Sequence, residues 1–114
     1  MATISTHILD VARGAPAGSV AVGLSAQNTD ESWTELSHAW TYEDGRVKPF
    51  FLVEEPLSGG TYRLVFDTEH YFTELNIEYF YPQVTVVFKI DDAAQHYHVP
   101  LLISPYGYST YRGS

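Results

Sequence analysis

The amino-acid sequence predicts an all-β sandwich with one short helix, and three observations carry that expectation. First, 114 residues contain nine Tyr, six Phe and two Trp, and aromatic side chains, like Val and Thr, favour a pleated, half-buried surface. Second, apolar and polar residues alternate in short stretches, which is the period of a strand with one buried face. Third, Gly, Pro, Asn and Asp punctuate those stretches at turn spacing. The length fits a single domain spanning residues 1–114.

Taken in order, Ile4, Thr6 and Ile8 alternate with Ser5, His7 and Leu9 over 3–10 and predict a first strand. Arg13 to Gly18 is a loop. A second strand covers about 19–27, with Val20, Val22 and Leu24 on one face, and Asn28-Thr29-Asp30 turns the chain into a third over 32–41. Glu43-Asp44-Gly45 is a turn, and Arg46 leaves it at the head of a short strand toward Phe50 and Leu52. Another loop runs from Pro56 to Gly60, ahead of a strand over 61–66. Asp67 or Thr68 then N-caps a helix through Leu75, and Asn76 ends it. Tyr79 to Pro82 is irregular. Val84 to Ile90 is an apolar strand, Asp91-Asp92-Ala93-Ala94 reads as a hairpin turn, and a long strand runs from Gln95 to Ser104. Pro105-Tyr106-Gly107 turns into a final strand over 107–111, and that alternating ending predicts a terminal segment held in place through Ser114.

Composition narrows the function. Six Lys and Arg against fourteen Asp and Glu give a formal charge of −8, which opposes binding to nucleic acid or an anionic membrane. There is no cysteine, so disulfides and thiolate metal sites are excluded. No apolar run reaches membrane-spanning length, and Met1-Ala2-Thr3-Ile4-Ser5 lacks a basic region followed by an apolar block. The expectation is a cytoplasmic protein.

Parity along the strands singles out residues for chemistry. His96, His98, Pro100, Leu102 and Ser104 share one face, opposite Tyr97, Val99, Leu101 and Ile103, which read as core. His7 lies opposite Ile4 and Ile8. Two strands therefore each place an imidazole on an outer face that also carries Leu9, Pro100 and Leu102, and such a mixed patch calls for cover by another subunit. His96 lies about 7 Å farther along the strand than His98, at the rim. His38 and His70 lack a partnering motif and read as ordinary histidines. A metal reading of His96 and His98 with His7 is conceivable for an open site, but no matched carboxylate lies on that face, so no metal is expected. Arg46 is either a solvated residue after a turn or a planar cation that binds oxygens and offsets developing charge. Lys48 shares its parity as a weaker candidate. Spacing alone does not bring Arg46 to the histidines.

The motifs resemble one family. Ser5-Thr6-His7-Ile8-Leu9-Asp10, Asp44-Gly45-Arg46, Phe66-Asp67-Thr68, Phe80-Tyr81-Pro82 and the run from His98 through Tyr111-Arg112-Gly113-Ser114 are similar to those of the 5-hydroxyisourate hydrolases, the transthyretin-related proteins. Transthyretin itself lacks both histidines and the Tyr-Arg-Gly-Ser ending. The resemblance implies a transthyretin-like sandwich of two four-stranded sheets, assembled as a homotetramer whose sites line a channel between dimers. It implies hydrolysis of 5-hydroxyisourate to 2-oxo-4-hydroxy-4-carboxy-5-ureidoimidazoline in urate degradation, a part of purine metabolism, with no cofactor. It places catalysis on His7, Arg46 and His98, and substrate binding on His7, Arg46, Tyr111 and Ser114, with Arg112 and Gly113 shaping the wall. A carrier of an aromatic ligand and a purely structural sandwich are the competing readings.

Overall fold

A computed structural model of the chain describes residues 2–114. Two four-stranded sheets face each other. The first sheet contains β1 (Thr3–Asp10), β2 (Ala15–Pro16), β7 (His96–Ser104) and β8 (Gly107–Thr110), in the order β2-β1-β7-β8. The second contains β3 (Ala21–Gln27), β4 (Trp33–Trp40), β5 (Gly60–Phe66) and β6 (Val84–Ile90), in the order β4-β3-β5-β6. One helix, α1 (Thr68–Glu74), joins β5 to β6. No helix among the described residues is long and apolar enough to cross a membrane.

The core is the meeting of the inner faces, and the apolar side chains buried there come mainly from β1, β3, β5, β6 and β7. Ile4 and Ile8 of β1 and Leu101 and Ile103 of β7 lie against Val22, Leu24, Leu64 and Phe66 of the second sheet, all buried. Each such side chain contributes about 1.5–3 kcal/mol by leaving water. Tyr71 and Phe72 of α1 close one end. Asp67 is the N-cap, accepting the His70 N–H on its carboxylate. Asn76 adopts φ +55°, a left-handed conformation that Asn tolerates and that stops the helix. Beside it, the Tyr71 hydroxyl donates to the fully buried Asp10 carboxylate at 2.7 Å and accepts from the Arg13 guanidinium at 2.8 Å.

Three sequence expectations differ from the structure. The segment from Arg46 to Leu52 is not a strand. Pro49 has no N–H to give a ladder, and the segment meets β1 only at points, through a bridge between His7 and Arg46 and a bond from the Phe51 N–H to the Ile4 carbonyl at 2.9 Å. The predicted loop at 13–18 holds the short β2, which pairs with Leu9 and Asp10. Asp91 to Ala94 is not a hairpin turn, because β6 and β7 belong to different sheets. It crosses the edge of the sandwich, where the Tyr97 hydroxyl accepts the N–H groups of Asp91 and Asp92 and fixes the crossing.

The pairing that matters for the site is β1 against β7. It is parallel and in register, with Thr3 opposite His96, Ser5 opposite His98, His7 opposite Pro100 and Leu9 opposite Leu102. Parallel neighbours in register present their side chains on the same face. The outer faces of the two strands thus form one surface of paired rows.

Candidate active site

His7 and His98 stand on that outer surface, half-buried, about 7 Å apart along the strand direction because His98 is two residues before the partner of His7. Arg46 comes to them from outside the ladder. The turn at Tyr42–Arg46 is closed by the Gly45 N–H on the Tyr42 carbonyl and the Tyr42 N–H on the Arg46 carbonyl, both at 2.9 Å. Gly45 is seated against β1, its carbonyl accepting the Ile8 N–H at 2.8 Å. Its φ of +78° is left-handed, and a Cβ there would stand 2.4 Å from the Ile8 carbonyl oxygen. Only glycine fits. That close approach puts Arg46 opposite His7, which spacing alone did not reveal.

The electrostatics follow from this gathering. Burial, then the Arg46 charge, pushes His7 below the usual imidazole range, with Asp44 opposing. Burial pushes His98 down as well, reinforced by Arg46, His7 and His96 in that order. Both rings are held neutral at pH 7, since an unperturbed imidazole titrates near 6.5. Arg46 is exposed and forms no ion pair among the described residues. Lys48, the weaker candidate, is occupied by an ion pair with Asp44.

The chain end approaches the same rings. The Gly113 N–H donates to the His98 carbonyl at 2.8 Å, and a Cβ on Gly113 would lie 2.6 Å from His98 Cδ2 and 3.2 Å from Pro100 Cγ. Gly113 therefore packs directly on the imidazole. Pro100 has no N–H to extend the ladder, so pairing lapses between Thr110 and Gly113, and the Thr110 hydroxyl takes the Pro100 carbonyl at 2.7 Å. Tyr111 is 59% exposed. It lines a cleft of about 240 Å³ with His98, Thr110 and Arg112. Arg112 lies over the Tyr97 ring at 4.7 Å and bonds Gln95 at 2.9 Å. Ser114 is exposed and forms no hydrogen bond among the described residues, so the terminal anchor is Gly113 rather than Ser114.

His96 occupies the exposed rim, and its partners were not foreseen. Ser5 Oγ lies 2.7 Å from His98 Nδ1 and 2.9 Å from His96 Nε2, and Thr3 Oγ1 bonds His96 Nδ1. Ser5 carried a signal, since it shares the outer parity of His7, but pairing it with His98 needs the parallel register. His7, His96 and His98 do not converge as a metal-ligating group among the described residues. His38 and His70 flank Trp40, with ring centroids at 6.4 and 5.7 Å, away from the first sheet.

Fold and site together define a transthyretin-type sandwich with an imidazole and guanidinium face. The chain belongs to the HIUase/Transthyretin family, whose model matches residues 4–113. It is 51% identical over 113 residues to a probable 5-hydroxyisourate hydrolase of Caenorhabditis elegans, covering 99% of this chain and 82% of that one. It is 46% identical over 112 residues to the 5-hydroxyisourate hydrolase of Mus musculus, covering 97% and 94%. Among solved structures, the Klebsiella pneumoniae 5-hydroxyisourate hydrolase superposes with a TM-score of 0.84 at 38% identity, covering 98% and 99%. Sea bream transthyretin in complex with thyroxine superposes with a TM-score of 0.90 at 33% identity, covering 97% and 94%. Backbone likeness thus spans both branches, and side chains must decide between them.

Proposed function

We infer that this chain is a hydrolase that opens 5-hydroxyisourate in urate degradation. The observation that carries the reading is the meeting of His7, Arg46 and His98 on one outer face, brought together by the β1–β7 register and the Gly45 turn. A neutral imidazole takes a proton from water near pH 7. His98 or His7 serves as that base. The hydroxide so formed adds to a ring carbonyl, the ring C–N bond breaks, and the leaving nitrogen receives a proton, giving 2-oxo-4-hydroxy-4-carboxy-5-ureidoimidazoline. Arg46, free of a carboxylate partner among the described residues, holds the substrate oxygens and offsets charge on the tetrahedral intermediate. Tyr111 and the Ser114 end bound the site.

The face that bears these groups also bears half-buried Leu9 and Leu102. Cover by further copies of the chain, as a homotetramer, would turn this open surface into an enclosed one in which electrostatic interactions strengthen. The test is the ultraviolet decay of freshly made 5-hydroxyisourate on adding purified protein, with and without a chelator, beside a thyroxine-binding titration. Accelerated decay that survives the chelator, with no thyroxine uptake, is the expected result. Thyroxine binding without acceleration would reverse the reading in favour of a carrier.

A further inference from the structure

Ser5 holds one proton between two imidazoles. Its hydroxyl stands 2.7 Å from His98 Nδ1 and 2.9 Å from His96 Nε2, and Thr3 Oγ1 closes the row on His96 Nδ1. A serine hydroxyl has one hydrogen to give, so it can donate to only one of the two rings and must accept from the other. The tautomers of His96 and His98 are therefore tied together. The row is built by register, with Thr3 opposite His96 and Ser5 opposite His98. Ser5 is only 8% exposed, whereas His96 is at the solvent edge.

We propose that Ser5 is the positioning residue that sets His98 as the base, and that Ser5 and His96 form a reversible proton relay for it. The relay rests on the hydrolase reading above and names parts that reading does not use. In the resting arrangement the His98 Nδ1–H donates to Ser5, the Ser5 hydroxyl donates to His96 Nε2, and the His96 Nδ1–H donates to Thr3. His98 Nε2 keeps its lone pair and has no protein partner among the described residues.

The proton count closes. When His98 Nε2 takes a proton from water, the water O–H breaks, an N–H forms, and the oxygen bonds the substrate carbonyl carbon. The Nδ1 proton then passes to Ser5 as the Ser5 proton passes to His96 Nε2. One N–H and one O–H break, and one O–H and one N–H form. The positive charge moves from His98 to His96, a strand step farther from Arg46. On collapse of the intermediate the row runs backward, so that the Nε2 proton leaves with the ring nitrogen and Nδ1 regains its hydrogen. Arg46, His7 and His96 each oppose a charge on His98, and Lys89, Asp91 and Arg112 line the cleft beside it. Burial and the neighbouring positive groups leave a proton poorly held on this ring.

The experiment uses the full chain with Ser5→Ala, Ser5→Thr and His96→Gln. Nitrogen NMR of the histidine rings reports the His98 tautomer without substrate, and steady-state kinetics on 5-hydroxyisourate across neutral pH reports the rate. Ser5→Ala should lower kcat about tenfold with KM little changed, and should replace the single His98 tautomer by a mixture. Ser5→Thr should recover both. His96→Gln should lower kcat in dilute buffer and regain it with added imidazole. A Ser5→Ala protein of wild-type circular dichroism that keeps the His98 tautomer and kcat would overturn the relay, while leaving the hydrolase reading in place. Should that variant not fold, a His96→Gln protein with wild-type kcat in dilute buffer overturns the relay equally. Wild-type protein that fails to accelerate hydroxyisourate decay would overturn the hydrolase reading instead, whatever the ring spectra show.

Discussion

The outer face of the first sheet and the surroundings of Trp40 on the second hold histidines of opposite character. On the first sheet His7 and His98 lie in rows with Ser5, beside an arginine that lacks a carboxylate partner among the described residues. Near the second, His38 and His70 pack edge-on around Trp40. Residue type is the same in both places. What differs is the neighbourhood, since burial and a nearby guanidinium lower the affinity of the first pair for a proton and leave them neutral, able to accept one. The contrast shows that a histidine acquires chemistry from how far it is buried, from its row partners and from what crosses over it, rather than from residue type.

The largest effect expected from breaking this contrast is at His98. His98→Asn should cost about a thousandfold in kcat in the decay assay while the circular dichroism spectrum stays that of the parent, and wild-type turnover would remove His98 from the reaction. Arg46→Gln comes next, at about a hundredfold in kcat/KM. Arg46→Lys should recover little of it, because an ammonium lacks the planar fork. A smaller effect, and a sharper one, is in pH. The pKa values of His7 and His98 are lowered in the folded protein, so their neutral forms persist below pH 6.5, the unfolded value. The acid limb of kcat/KM should therefore lie below pH 6.5, and the two rings should titrate as a coupled pair. By the same sign, stability should decline as pH falls below 6.5, because the unfolded chain then binds more protons. An acid limb above 6.5 would contradict the electrostatic account. Least of all should happen around Trp40, where His38→Gln or His70→Gln should leave kcat alone and shift stability by no more than about 0.5 kcal/mol.

Much of this contrast was legible in the amino-acid order. The period of two sorted Ile4, Thr6 and Ile8 from Ser5, His7 and Leu9, and it sorted His98 from Val99, because that period is a local property of the chain. The cap at Asp67 and the stop at Asn76 were legible for the same reason. Pairing was not. Ser5 and His98 are 93 residues apart, and nothing local specifies that their strands run parallel and in register. Asp91 to Ala94 shows the same limit, since its turn chemistry is identical whether the chain returns to its own sheet or crosses to the facing one. The segment after Gly45 misled in another way. The expected strand toward Phe50 and Leu52 does not form, because the core residues there are Val47 and Phe51, and Pro49 prevents a continuous ladder. The resemblance to the hydrolases pointed to Arg46, which the residues alone left open between a solvated cation and one that binds oxygens.

The most direct measurement is a crystal structure of the protein soaked with a flat, non-hydrolysable purine-dione analogue of the substrate. The account predicts the analogue on the outer face of β1 and β7, its oxygens on the Arg46 guanidinium and a ring edge within hydrogen-bond reach of both His7 and His98, enclosed by a second copy of the chain. An analogue bound elsewhere, with those three side chains separated and solvated, would contradict it.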